Sequence, residues 1–332
     1  MKGNLAASAI VVVLLIVAPY LAPLIHLDVS ILSEVLLMAI AAMSVNLLLG
    51  YTGMLAFGNA AFFGLGAYGA GLSIKYFDVH FIVATIIGVV AAVIGALIIG
   101  PFLLRRRGIY FALLMIAFGQ VFYFIAYRLT DVTGGEDGMN FPRPWFGFSA
   151  WHLQLRDQPF YFVMLAIFIA VLAAMWYLIR SPFGRTLVAI KQNELRVRYL
   201  GLNSDRFIFV ALLISAAMAG LAGALYSLLI MFAFPLMLDW HQSGDFVLTV
   251  ILGGAGTLWG PLVGSIVYVV GKDIISTITP AWQIFLGGLF VACVLAFPKG
   301  LLGTTLDLLA RRGIRVEEEP AVVGTLESSR AK

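Results

Sequence analysis

Charge is what this chain has least of. Of its 332 residues only 11% are Asp, Glu, Lys or Arg, while 62% are hydrophobic; ordinary soluble domains carry about 25% charged residues. A water-soluble fold of this length has nowhere to hide so much apolar surface, so composition calls for an all-α, polytopic membrane bundle. Cysteine is nearly absent: Cys293 stands alone in an apolar segment, which excludes an intrachain disulfide or a Cys-based metal cluster and leaves core packing. The net charge of +4 is small and its cations sit in loops, so nucleic-acid binding has no support. His26, His80, His152 and His241 fall in loops or at span edges, and Glu34 and Gln120 stand isolated in apolar runs. No paired intramembrane charge is evident, which speaks against a stand-alone ion-driven carrier, and no buried His/Asp/Glu cluster suggests an intramembrane enzyme. Nor is there a nucleotide site. Gly271-Lys272 imitates the end of a phosphate-binding loop, but Asp273 replaces the required Ser or Thr. Any work that needs ATP would have to be powered by another subunit.

What is present is a series of apolar runs. Candidate spans are Leu5–Ile25, Ile31–Leu49, Met54–Ile74, Phe81–Leu104, Ile109–Tyr127, Phe160–Ile179, Phe207–Phe232, a broken region Phe246–Val270, and Trp282–Phe297. This is about eight to ten membrane segments, each judged against the ~20 residues a crossing needs. The first run reads as a retained span rather than a cleaved leader, because it stays apolar through Leu24. With the N-terminus inside, Arg105–Arg107 and the basic segment Arg180–Arg206 fall in the cytoplasm, as Lys and Arg in short loops require. The loop Arg128–Gln158 is then external.

After seven spans the parity fails. One straight crossing at Phe246–Val270 would leave Lys299, Arg311, Arg312 and Arg315 outside. The run Gly253–Pro261 supplies a cause, since its glycines and proline break a helix. Non-helical backbone at membrane depth is tolerated only against protein or a polar cavity. The expectation is therefore that Phe246–Leu252 enters and turns, Leu262–Val270 returns, and Trp282–Phe297 brings the tail back to the cytoplasm. The transmembrane domain, including the segment 180–206, is placed at 1–310, and the polar remainder 311–332 reads as a disordered tail.

Three segments stand out. Arg180–Arg206 opposes six cations (Arg180, Arg185, Lys191, Arg196, Arg198, Arg206) to Glu194 and Asp205. Phe183, Leu187, Ile190 and Val197 form an apolar stripe that includes Glu194. The pattern reads either as docking on a protein or as an amphipathic helix lying on anionic lipid, the mixed charges favouring the protein. Glu194 has two readings: a salt bridge to its own Arg198, or a partner's basic groove. Asn46–Ala70 is glycine-rich, with Tyr51, Thr52, Asn59, Phe62 and Phe63 near or within a span. It reads either as a tightly packed helix pair or as a path-lining segment. Thr133–Gly138 is a turn-rich loop on the external face, where it is a candidate contact for an external partner.

Together these residues resemble the LivM-type permease subunits of bacterial branched-chain amino acid ABC importers. The matching strings are GYTGMLAFGNAAFFGLGAY (50–68), RGIYFALLMIAF (107–118), TGGEDGM (133–139), SPFGRTLVAIKQNELRVRYLGLN (181–203), ISAAMAGLAGALY (214–226) and VILGGAGTLWGPLVGS (250–265). The resemblance implies the broad permease fold shared with ribose and vitamin B12 importers. It implies a LivH-type permease partner, two cytoplasmic ATPases that hold ATP and Mg, and a periplasmic binding protein. This chain itself would bind no cofactor or metal and would sit in the bacterial inner membrane with both termini cytoplasmic. The resemblance further implies that Ser181–Asn203 holds the coupling helix, with Arg185, Ile190, Lys191, Glu194, Arg196 and Gly201 as ATPase-coupling residues. Many importers space the motif's Glu and Gly by six residues; here Glu194 and Gly201 are seven apart, Arg196 replaces a small residue, and Asn59 stands where many relatives have His. Tyr51, Thr52, Asn59, Phe62, Phe63, Gly254, Thr257 and Trp259 are the implied translocation-path residues. The expected activity is ATP-driven passage of branched-chain amino acids by alternating access; urea, short amides or aromatic acids are the alternative cargo.

Overall fold

The computed structural model describes residues 2–21, 28–142, 157–297 and 300–304. The expected tail at 311–332 lies outside the described residues, as do the cations Lys299, Arg143 and Arg156. The helices are α1 (Lys2–Leu21), α2 (Val29–Asn46), α3 (Asn59–Phe77), α4 (Phe81–Leu103), α5 (Ile109–Arg128), the short α6 (Thr130–Thr133), α7 (Asp157–Arg180), α8 (Pro182–Tyr199), α9 (Ser204–Ile230), α10 (Trp240–Gly253), α11 (Gly260–Ile278) and α12 (Trp282–Ala296). Among the described residues, six helical segments are long and apolar enough to cross a membrane: Val29–Thr52, Phe81–Leu103, Ile109–Arg128, Phe160–Arg180, Ser204–Ile230 and Gly260–Ile278. The chain is a multi-pass membrane protein.

Helix α2 is predominantly apolar around its whole circumference from Val35 onward, and such a helix belongs in the interior. Its residues from Val35 onward are buried without interruption, and α1, α7, α9, α10 and α11 surround it. A second packing centre joins α3, α4 and α9. There Gly66 meets the backbone of Gly220 so closely that a Cβ on Gly66 would collide with the Gly220 carbonyl. Small residues permit this approach, and packing of that kind replaces the hydrophobic effect as the force between helices in lipid.

Two expected boundaries move. The third span was expected from Met54, but α3 begins at Asn59. The last turn of α2 widens into a π-helix, Leu47–Thr52, closed by Gly53 in the left-handed region (φ 74°). The chain then runs without helix to Gly58. The broken region is a helix–turn–helix, longer than expected on both sides. Thr249 and Gly253 of α10 face Gly264 and Gly260 of α11, so the two helices run antiparallel. At 14 residues α10 rises about 21 Å, short of a bilayer, whereas α11 spans the 19 residues to Ile278 rather than stopping at Val270.

Among the described residues, a short strand pair departs from all-helix. Residues after α6 form a 3-10 turn (Gly135–Asp137) and a two-residue strand β1 (Met139–Asn140), which pairs antiparallel with β2 (Phe232–Ala233) just after α9. The glycine-rich loop is thereby tied to the end of α9.

Candidate functional site

Ser181 starts α8 by accepting a hydrogen bond from the Gly184 N–H (3.3 Å), with Pro182 pre-shaped for the first turn. Leu187, Ile190 and Val197 are buried, so Ile190 serves packing rather than an exposed contact. The helix breaks at Asn193 (φ −161°, ψ 98°), whose Oδ1 accepts from the Arg196 N–H (3.0 Å) and caps a new final turn. This break swings the exposed side chains of Leu195, Arg196, Tyr199, Leu200 and Leu202 outward together. Arg185 and Gly201 are exposed as well, Gly201 with φ 82°.

Glu194 does not point outward. Its carboxylate accepts from Arg107 Nε at both oxygens (3.2 Å each), from Arg198 Nη2 (2.8 Å) and from Ser204 Oγ (3.0 Å). Arg107 also pairs with Asp205, and Arg198 bridges to Asp205 (3.2 Å) and donates to Ser204 Oγ (2.9 Å). Burial opposes ionisation of Glu194, but Arg107, the Ser204 hydroxyl and Arg198 outweigh it and hold the carboxyl below the usual glutamate range. The α4–α5 loop, the end of α8 and the start of α9 are clasped together at this point. The pairing to Arg198 expected from sequence is present; the larger part, Arg107, is 87 residues away and carries no local signal.

Lys191 is likewise turned inward. Its ammonium donates to the Gly50 carbonyl in the π-helix (2.7 Å), and burial lowers its pKa. Gly50 in turn lies against the backbone of Gly256 (φ 84°) in the α10–α11 turn, leaving no room for a Cβ. Beside it, buried Asn46 donates to the Thr257 carbonyl and accepts from the Gly256 N–H (2.8 Å each). Gly300 packs against Gly254. The end of α2, α8, the hairpin turn and residue 300 therefore share one end of the bundle.

The sequence-derived path residues divide into two groups. Tyr51, Thr52, Asn59, Phe62 and Phe63 are buried within the chain's own core. Asn59 donates to Ser44 Oγ (2.6 Å) and Ser215 Oγ (3.2 Å), and Phe63 packs between the rings of Tyr226 and Phe246 (5.7 and 5.2 Å). Within this chain the segment is tightly packed, with α3 and α9 in close contact at their glycines. Gly254, Thr257 and Trp259 lie in the hairpin turn; Gly254 is buried and the other two are half-buried.

The expectation of no paired intramembrane charge is corrected. Lys272 of α11 reaches Glu34 of α2 (3.5 Å), and both stand in helical segments long and apolar enough to cross a membrane. Glu34 and Lys272 are 238 residues apart, so only the packing of α2 against α11 brings them together. Charge pairing alone no longer separates this chain from an ion-driven carrier.

The family model described as "Branched-chain amino acid transport system / permease component" matches residues 28–294. The chain is 30% identical over 305 residues to the high-affinity branched-chain amino acid transport system permease protein LivM of Escherichia coli, covering 85% of this chain and 71% of that protein. The LivM of Salmonella typhimurium is 28% identical, covering 89% and 74%. The LivH permease protein of the same organism is 27% identical over 42% of this chain and 46% of that protein. No solved structure matches. With the match running from the start of α2 into α12 and taking in the clasp, the π-helix and the hairpin turn, the chain belongs to the branched-chain amino acid transport system permease family.

Proposed function

We propose that the protein is one of two permease subunits in an ABC importer that carries branched-chain amino acids across the bacterial inner membrane by alternating access. The similarity to both LivM and LivH proteins supports a paired permease in which this chain takes the LivM position. ATP and Mg would be held by two cytoplasmic ATPases, and a periplasmic binding protein would deliver the cargo. Both termini would be cytoplasmic.

The observation that carries this reading is the kinked α8. It keeps its polar anchor groups for its own chain and turns Leu195, Tyr199, Leu200 and Leu202 outward as an apolar knob, with Arg185 and Arg196 as exposed cations. An apolar anchor with a charged rim is the composition of a protein-docking site. Closure of the ATPases would pull on this knob. The Arg107–Glu194–Asp205 clasp would carry α5 and α9 with it, and Lys191 would load the π-helix and, through Gly50 and Gly256, the hairpin turn. Glu194 and Lys191 thus act as positioning residues, and the cargo meets no covalent chemistry in this subunit.

The test is leucine uptake into proteoliposomes that hold the paired permeases and ATPases, with the binding protein outside. Uptake with ATP inside, and none with a non-hydrolysable analogue, is expected. Equal uptake in both would refute ATP coupling. Binding-protein-stimulated hydrolysis without leucine uptake would retain the machine and replace the cargo with another small polar molecule.

A further inference from the structure

The start of α10 places ionisable groups where lipid would not accept them. Asp239 caps α10 by accepting from the His241 N–H (2.9 Å), and the same oxygen meets His241 Nδ1 at 2.5 Å. Its other oxygen accepts from Gln120 Nε2 (3.2 Å). Gln120 is residue 12 of the 20 in α5, so at ~1.5 Å per residue it stands about 17 Å from one helix end and 12 Å from the other. Two further contacts fix the same level. Leu238 packs on Gly64 of α3, and Ser243 Oγ accepts from the Ala60 N–H at the start of α3, next to Asn59, whose side chain reaches Ser44 and Ser215 within α2 and α9.

At this depth the backbone of 234 and 239 is extended around the 3-10 turn Pro235–Leu238. Irregular backbone within a membrane occurs only against protein or beside water. The Asp239 side chain is 14% exposed, whereas His241 is 75% exposed on the surface of the chain. Leu236 and Trp240 are exposed beside it, the Trp240 ring 4.0 Å from that of His241. Intramembrane ionisable groups face a polar cavity or a partner rather than lipid. Two independent features, irregular backbone and an open acid–imidazole pair, thus mark the same surface.

The chemistry of the pair defines what it takes. In the neutral imidazole a carboxylate at Nδ1 selects the Nδ1–H tautomer, whose Nε2 is an exposed acceptor backed by negative charge. An acceptor of that kind beside an indole face suits an ammonium group. We infer that Asp239, His241 and Trp240 form a station on the translocation path that receives the α-ammonium of a zwitterionic amino acid, with Trp240 and Leu236 against its aliphatic part. This rests on the importer reading above and adds the place of contact.

The experiment uses the assembled transporter in proteoliposomes with leucine-loaded binding protein. His241→Ala is expected to lower leucine moved per ATP hydrolysed at least tenfold, the factor that one lost hydrogen bond to a charged group carries, with binding-protein-stimulated hydrolysis within twofold of wild type. In a Cys293→Ala background, His241→Cys is expected to react with a charged, water-soluble methanethiosulfonate, whereas Val90→Cys on the exposed face of α4 stays unreactive. An unchanged ratio, hydrolysis that falls in step with uptake, or an inert Cys at 241 would each overturn the station. A wild-type complex with no ATP-dependent leucine uptake would retire the importer reading instead, and water access at 241 would still judge the site.

Discussion

Replacing Glu194 by Ala removes the centre of the clasp between the α4–α5 loop, α8 and α9. The carboxylate is 24% exposed and Arg107 is 27% exposed, so this pair is partly shielded from water. A hydrogen bond to a charged group in such a place contributes about 1.5 kcal/mol. The Arg198 pair is nearer the surface and adds only about 0.3–0.5 kcal/mol. Asp205 remains to hold both arginines, so the expected loss is about 2 kcal/mol rather than the sum of all the bonds Glu194 accepts. That energy holds the end of α8 in place and has little to do with the apolar core. Local opening of residues 194–203 should therefore rise about 30-fold. Hydrogen exchange of that segment in the detergent-solubilised protein measures it, with α2 as an internal control. A double-mutant cycle with Arg107→Ala should give a coupling energy above about 1 kcal/mol. Exchange within twofold of wild type, or additive effects of the two substitutions, would refute the clasp.

Acid should open the same clasp. Because the folded-state pKa of Glu194 is lowered from 4.5, its contribution is complete above that value and is lost as pH falls through the lower folded value. The opening equilibrium at 194–203, corrected for the intrinsic pH dependence of amide exchange, should stay flat down to about pH 4.5 and rise below it, with the rise absent in Glu194→Gln. Asn46→Ala deletes both buried hydrogen bonds to the hairpin turn and should cost about 1–3 kcal/mol, read as a lower thermal unfolding midpoint; an unchanged midpoint would show that the turn holds without Asn46. Gly66→Val should lower the midpoint by a comparable overpacking cost of about 1–3 kcal/mol, since α3 and α9 cannot separate without losing their contact. Tyr199→Ser with Leu200→Ser should abolish co-purification with the ATPases while leaving the midpoint within about 1 °C, as both side chains are exposed and touch no core group. A fall in stability would move those residues into the fold and away from docking.

Apolar runs, glycine and proline breaks and the placement of basic loops determined much of this protein by themselves. They set the helical membrane class, most spans to within a few residues, the break at Gly253–Pro261 and the amphipathic stretch at 180–206, because each is a local property of composition and period. The tertiary structure decided the rest. It turned Lys191 and Glu194 inward onto Gly50 and Arg107, ended α2 in a π-helix, replaced the expected start of α3 with an irregular link, and buried Asn59, Phe62 and Phe63. It also paired Glu34 with Lys272 and fastened Asp239 between Gln120 and His241. Hydropathy tells a helix how far from water to lie, but not which neighbour its polar side chains will meet. That choice belongs to the packing of small residues between helices, where a partner 87 or 238 positions away stands within hydrogen-bond distance.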